Sequence, residues 1–419
     1  MAYRHSVSLD VSKCIGCTHC IKRCPTEAIR IKNGKASINS DRCIDCGECI
    51  RICPQRAKKA SFDRLADLPK GKFHIALPAP SLYGQFSNLE EIDYVLNGLK
   101  ALGFDEVYEV ARAAEIVSDY TRRYIKRKDV ELPVISSACP VVNRLISLRY
   151  PYLCDHILPI EPPVEVAAMR AKMHAKHHHP DLKDEDICIT FISPCPAKVS
   201  YIKNAPSEHP SHVNYVLSVK EVYKELLGVM KKDDDQVPLA RSGRIGIGWA
   251  TTGGEATAIL SGNYLAADGI ENVIRILEEL DNGTLCDVTF VELNACSGGC
   301  VGGVMNVVNP FIAKARMHTL RHYLPVSQNW ADDSTDSLFI PEEYLSGDYG
   351  YEPVSALHGD RAKAFDMMAQ IEALRAKLPN LDCGFCGAPT CSAFASDVIR
   401  GEACIEECIA LHVQKGDTQ

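Results

Sequence analysis

Residues 286–303 read CDVTFVELNACSGGCVGG. The stretch opens as an apolar, β-rich run and closes on two cysteines, Cys296 and Cys300, with Ser297, Gly298 and Gly299 between them. Two thiols at this spacing can share one face of a helical turn. The glycines let the backbone press close to something bulky and accept positive φ where the chain bends. A metal cluster suits that description, and so does a tightly packed helix start. The flanking sequence has to decide.

Two more runs have the same form. ELPVISSACP (131–140) ends on Cys139, and DICITFISPCP (186–196) ends on Cys195. Each is strand-like up to its cysteine. Helical stretches separate the runs, such as SVKEVYKELLGVMKK (218–232) and GIENVIRILEEL (269–280). Strands alternating with helices predict an α/β fold with parallel-type sheets flanked by helices. Ligands of such sheets bind beyond the carboxyl ends of the strands. Cys139, Cys195 and Cys296 therefore aim at a shared crevice, and Cys300 makes four thiolates.

The chain has 419 residues, room for two or three domains. Its net charge of −8 argues against nucleic acid or an anionic membrane surface as the main partner. No apolar run is long enough to span a bilayer, and the N-terminus, MAYRHSVSLDVSKC, has no apolar signal core, so a cytoplasmic protein is expected. Twenty cysteines in such a compartment point to metal ligation or catalysis rather than structural disulfides. They cluster at both ends. The expected division is residues 1–68, a central 69–345, and 346–419, where a linker helix leads into a second small module.

In the first module Cys14-x2-Cys17-x2-Cys20-x3-Cys24-Pro25 repeats as Cys43-x2-Cys46-x2-Cys49-x3-Cys53-Pro54. This is the two-cluster ferredoxin signature, in which the fourth cysteine of each repeat ligates the other repeat's cluster. An α+β ferredoxin-like domain follows. Cys14, Cys17, Cys20 and Cys53 would hold one 4Fe-4S cubane, and Cys43, Cys46, Cys49 and Cys24 the other. In the last module a helix over DRAKAFDMMAQIEALRAKL precedes Cys383-x2-Cys386-x4-Cys391-x16-Cys408. That spacing resembles the small, helical iron–sulfur domain of corrinoid proteins and membrane electron-transfer subunits, and implies one more 4Fe-4S cluster. Cys404 could replace Cys408 as the last ligand. Zinc is the alternative for both end modules.

SSACP, SPCPAK and ELNACSGGC resemble the three signature segments of the iron-only hydrogenases, and WATTGGEATA (249–258) resembles that family's glycine pair ahead of the third segment. The resemblance implies that Cys139, Cys195, Cys296 and Cys300 hold a 4Fe-4S cubane. Cys300 would also bridge to a two-iron subsite carrying carbon monoxide, cyanide and a bridging dithiolate, the whole being the H-cluster. The glycines would make room for that group. Lys198 matches the lysine that hydrogen-bonds a cyanide ligand. The implied activity interconverts dihydrogen with protons and electrons. A ferredoxin-like redox partner or a signalling partner, and the hydrogenase maturation proteins, are the implied partners.

The departures from the family pattern carry their own message. Ala138 stands where catalytic members have a proton-passing cysteine, and Tyr201 takes the place of a glutamate. Ser193 and Asn294 replace methionines that pack on the two-iron subsite, and Val141 and Val142 stand where a tryptophan is usual. With the standard proton chain cut, turnover is expected to be low. The pattern resembles the branch thought to report dihydrogen, in its shorter group without a PAS domain. Glu255 and Glu292 are candidates for a substitute proton relay, or else they hold backbone amides at a helix start. A hydrogenase-like iron–sulfur protein without the two-iron subsite, serving cluster assembly or electron transfer, is the second reading. His177, His178 and His179 read as a solvated loop tip, KKDDD (231–235) as an exposed turn, and Cys154, Cys188 and Cys286 as core.

Overall fold

The computed structural model describes residues 3–207, 209–231, 236–260, 262–285, 287–331, 338–347, 349–354 and 357–411. Cys286 and residues 232–235 of the KKDDD run lie outside them. The described residues form two compact units. One is built from both chain ends, up to Ala60 and from Glu352, and the other from Ser61–Tyr351.

The terminal unit contains two antiparallel pairs. β1 (Val7–Leu9) pairs with β4 (Lys58–Ala60), and β2 (Ile29–Lys32) with β3 (Lys35–Ile38). Short helices, His19–Lys22 and Glu48–Ile52, occupy equivalent places in the two cysteine repeats. The symmetry extends to the sulfurs: the Ala28 amide donates to Cys24 Sγ at 3.2 Å, and the Ala57 amide to Cys53 Sγ at 3.2 Å. The linker helix spans Arg361–Arg375, capped by the Asp360 carboxylate on the Ala362 amide. Helix Cys391–Ile399 follows, with Thr390 accepting from the Ala393 amide.

The central unit has two parallel sheets. The first runs β6 (Glu106–Val107), β5 (Phe73–Pro78), β8 (Ile187–Ser193), β9 (Tyr215–Ser218), and the second runs β10 (Tyr264–Asp268), β11 (Phe290–Asn294), β7 (Val134–Ile135). All seven residues of β8 are buried, as a strand covered on both faces requires. The three cysteine-bearing strands are thus divided between the sheets, β8 in one and β7 with β11 in the other. β7 has two residues, since Pro133 before it has no N–H to give. The pairing continues past it through Ser136 N to Val291 O at 2.9 Å.

Helices Asp93–Ala101, Val219–Val229 and Pro310–His322 pack their apolar residues with Ala76, Ile192 and Leu217 in one core. Helix Val110–Ile125 and the residue before it bring two buried carboxylates. Glu109 accepts from Ser242 Oγ and the Arg241 amide. Glu115 accepts from the amides of Gly243, Gln328 and Asn329 and from Asn329 Nδ2, at 2.7–3.0 Å. Backbone groups that would otherwise lose water are satisfied this way, which fixes an irregular, polar stretch that lacks secondary structure of its own.

Candidate metal centres and the central cavity

Each cysteine set of the terminal unit surrounds its own cavity. Cys14, Cys17, Cys20 and Cys53 line one of about 320 Å³. Cys24, Cys43, Cys46 and Cys49 line a second of about 330 Å³. Cys383, Cys386, Cys391 and Cys408 line a third of about 330 Å³. Cys404 is exposed, whereas Cys408 is buried. Among the described residues no three His, Cys, Asp or Glu side chains converge tightly enough to hold a single ion. Thiols standing around a void suit a four-iron cubane. A zinc ion would draw its sulfurs to about 2.3 Å.

In the central unit the thiols sit where strands hand over to helices. Cys139 precedes helix Pro140–Arg149 and Cys195 precedes helix Pro196–Lys203, each with proline at the first helical position. Cys296 lies two residues past β11, and Cys300 opens a single 3-10 turn. The Ala295 and Val142 amides hydrogen-bond the Cys139 sulfur. Burial, and then the Cys296 and Cys139 sulfurs, push the Cys195 thiol up, and burial pushes Cys139 up with Cys300 adding to it. Sulfurs so desolvated and so close need cationic metal to stay as thiolates, which is what a cubane supplies.

The glycines allow the close backbone approach and the positive φ that the sequence suggests. Gly299 sits at φ +87°, and a Cβ there would stand 2.6 Å from the Thr252 amide. A Cβ on Gly303 would collide with the Pro194 carbonyl. They let the Cys300 loop press backbone-to-backbone on the Thr251–Thr252 turn and on Pro194, just past β8.

Beside Cys300 lies a cavity of about 570 Å³, against about 320–330 Å³ for the cysteine-lined ones. Lys198, Ala138, Asn294, Glu255, Glu292 and Trp249 are on its wall. Lys198 Nζ reaches Cys300 Sγ at 4.0 Å. Burial lowers the pKa of this amine, but Cys300, Cys195, Cys139 and Glu255 outweigh it and leave it raised, so the ammonium persists.

The two glutamates differ. Glu292 accepts from the Gly253 amide at 3.0 Å, the Ala256 amide at 2.8 Å and Asn294 Nδ2 at 2.7 Å. It holds the start of helix Gly254–Ala258. Glu255 is 4% exposed and accepts from Ser136 Oγ at 2.6 Å through Oε2, while Oε1 has no partner among the described residues. Burial, then the Glu292 charge, raises its pKa well above the usual carboxylate range. Ser193 turns from the cavity to its own loop, donating to the Cys195 carbonyl at 3.1 Å and accepting from the Cys195 amide at 3.2 Å. Tyr201 donates to Glu161 Oε2 at 3.4 Å. Burial and Glu165 raise Glu161 from the ordinary 4.5 to about 7.

Ser136, which holds Glu255, and Glu161, which accepts from Tyr201, were not legible in the sequence. The doubled serine ahead of Ala138-Cys139 was the one signal available for Ser136; nothing in sequence links Glu161 to Tyr201. Cys154 and Cys188 are buried. The histidine run is not a loop tip. His177 and His178 end helix Pro163–His178, and His179 Nε2 and His174 Nδ1 face Glu106 at 3.7 and 3.3 Å. No helix among the described residues is long and apolar enough to cross a membrane.

Cysteine-lined cavities on both sides of the chain's division, and cysteines at the carboxyl ends of parallel strands, define an α/β iron–sulfur protein. The chain belongs to the iron-only hydrogenase large-subunit family: that family's C-terminal domain matches residues 72–266 and 255–304. A 4Fe-4S dicluster domain matches residues 6–54, and a putative Fe-S cluster domain matches 378–410. The periplasmic Fe hydrogenase large subunit of Nitratidesulfovibrio vulgaris is 28% identical over 379 residues, 75% of this chain and 89% of that one. Iron hydrogenase 1 of Clostridium pasteurianum is 22% identical over 380 residues, 73% of this chain and 66% of that one. Two solved variants of the HydA1 FeFe-hydrogenase of Chlamydomonas reinhardtii share the fold, with TM-score 0.51 at 17% identity, covering 68% of this chain and 97% or 96% of theirs.

Proposed function

We propose that the protein interconverts dihydrogen with protons and electrons at a low rate and serves as a dihydrogen sensor, with electrons passing through three 4Fe-4S clusters of the terminal unit. The observation that carries this is the ammonium of Lys198 beside Cys300, on the wall of a cavity of about 570 Å³ and within the field of the strand-end Cys195 and Cys139 sulfurs. Cys139, Cys195, Cys296 and Cys300 would hold the cubane of an H-cluster, and that cofactor supplies the redox chemistry of dihydrogen. The residues of this chain do the rest. Lys198 holds the cofactor by a charge-assisted bond. Val110, Ala114, Pro163, Val164 and Phe191 make much of the wall apolar and keep water out. Glu255, with one unpartnered oxygen and a raised pKa, holds the exchangeable proton that Ala138 cannot. Glu292 positions the helix that carries Glu255.

Slow turnover follows from that substitution, because a single buried carboxylate replaces a chain of titratable groups. A chain rich in cysteine at ligand spacing fits a reducing cytoplasm, and cell fractionation checks this against the periplasmic relative. The central test is infrared spectroscopy of the full chain after anaerobic maturation by the hydrogenase assembly proteins. Bands of metal-bound carbon monoxide and cyanide that shift under dihydrogen are the expected result. Their absence with the cubane present overturns this reading in favour of a hydrogenase-like protein without the two-iron subsite.

A further inference from the structure

The terminal unit unites segments more than 350 residues apart in the chain. Its two cysteine modules do more than lie near each other. Arg30, on β2, makes a two-pronged bond to Asp397, Nε to Oδ2 at 2.5 Å and Nη2 to Oδ1 at 3.0 Å. Both side chains are nearly shut from solvent, at 14% and 9% exposure. Burial alone would lower the guanidinium pKa, but Asp397 reverses this and raises it. Around the pair, the Ile31 amide donates to the Gly387 carbonyl at 2.9 Å and Lys22 Nζ to the Pro389 carbonyl at 2.7 Å. Thr390 Oγ1 donates to Glu27 Oε1 at 3.0 Å.

Two glycines make the approach close. Gly387, at φ +82°, lies where a Cβ would collide with the Ile31 carbonyl. Gly384 sits between Cys383 and Cys386. A Cβ on it would meet Ile21 at 3.2 Å, Lys22 at 3.3 Å and Thr18 at 3.4 Å. Thr18 and Ile21 each adjoin a cysteine of the first ferredoxin site, Cys17 and Cys20. One layer of side chain therefore separates two cysteine-lined cavities. The linker helix, which buries none of its residues, already tethers the C-terminal module. A buried ion pair is a costly way to add mere proximity, and breaking one strands an uncompensated charge. What it adds is a fixed separation.

We propose that the Cys383–Cys386–Cys391–Cys408 site is the third station of a single electron relay, joined to the Cys14–Cys17–Cys20–Cys53 site where Gly384 rests on Thr18 and Ile21, and that Arg30 and Asp397 are the positioning residues of this junction. The proposal rests on the reading that both sites hold 4Fe-4S clusters. Each transfer moves one electron from a reduced cluster to an oxidised one, with no bond made or broken.

The test uses the full chain, reconstituted anaerobically with iron and sulfide and reduced with dithionite. Iron per chain, the electron paramagnetic resonance spectrum and amide exchange at Ile31 are read for the native protein, Cys383→Ser, Arg30→Leu, Gly387→Val and the swap Arg30→Asp with Asp397→Arg. Expected in Arg30→Leu and Gly387→Val are native iron content, loss of the spin–spin splitting that Cys383→Ser also removes, and Ile31 exchange faster by about tenfold or more. The swap restores both, and it carries the test if Arg30→Leu does not fold. Native splitting in every variant despite faster Ile31 exchange overturns the junction while leaving the clusters intact. If native protein and Cys383→Ser hold the same iron, the cluster reading of this site falls and the relay falls with it.

Discussion

The terminal and central units both collect cysteines in fours, by opposite means. In the terminal unit three of the four ligand candidates for each cavity come from one short loop, at spacings that set their mutual placement with little help from the rest of the fold. In the central unit Cys139, Cys195 and the Cys296–Cys300 pair arrive from two different sheets, and backbone contacts such as Gly303 on Pro194 hold them in register. Local spacing places three of four thiols with one loop and leaves a single cysteine to arrive from elsewhere. Distant strands make a site with an asymmetric neighbour, a cavity with lysine and carboxylate on its wall.

Removing one thiolate sharpens the contrast most. Cys300→Ser is expected to abolish carbon monoxide and cyanide bands and all dihydrogen-dependent signals, with iron in the terminal unit unchanged. Iron analysis and infrared spectroscopy of one sample check both halves. Next comes Glu255→Gln, expected to slow turnover about 100-fold with unchanged infrared bands, measured by hydrogen–deuterium exchange of the gas; an unaltered rate across pH removes Glu255 from the proton path. Lys198→Ala should weaken retention of the two-iron group about 10–100-fold, seen as loss of cyanide bands on gel filtration while the cubane stays.

Smaller effects concern the frame. Glu292→Gln leaves buried amides at Gly253 and Ala256 poorly satisfied and should cost about 1–3 kcal/mol, read by chemical denaturation of the anaerobic protein. Glu161 is raised from 4.5 to about 7 by burial and Glu165. Its folded state therefore binds a proton that the unfolded chain has already released between those values, so its contribution is present below about pH 4.5 and is lost as pH rises towards 7. Glu161→Gln should flatten the fall in stability over that window and leave the slope outside it unchanged.

Much of this protein was legible as a string. The C-x2-C-x2-C-x3-C-P repeats, the strand runs ending on Cys139, Cys195 and Cys296, and the proline after Cys139 and Cys195 are local patterns, and local patterns depend on bond geometry and hydrogen bonding over a few residues. The capped starts of helices Val219–Val229 and Arg361–Arg375 belong to the same class. What the string could not carry was which element meets which. Glu255 and Glu292 looked alike in sequence, and only the fold gave one of them three donors and left the other an unpartnered oxygen. Glu161 came to Tyr201 from another element, and Arg30 met Asp397 across more than 350 residues of chain. Such contacts arise from burial, which desolvates polar groups and forces each to find whatever partner the packing brings, at distances along the chain that no spacing encodes.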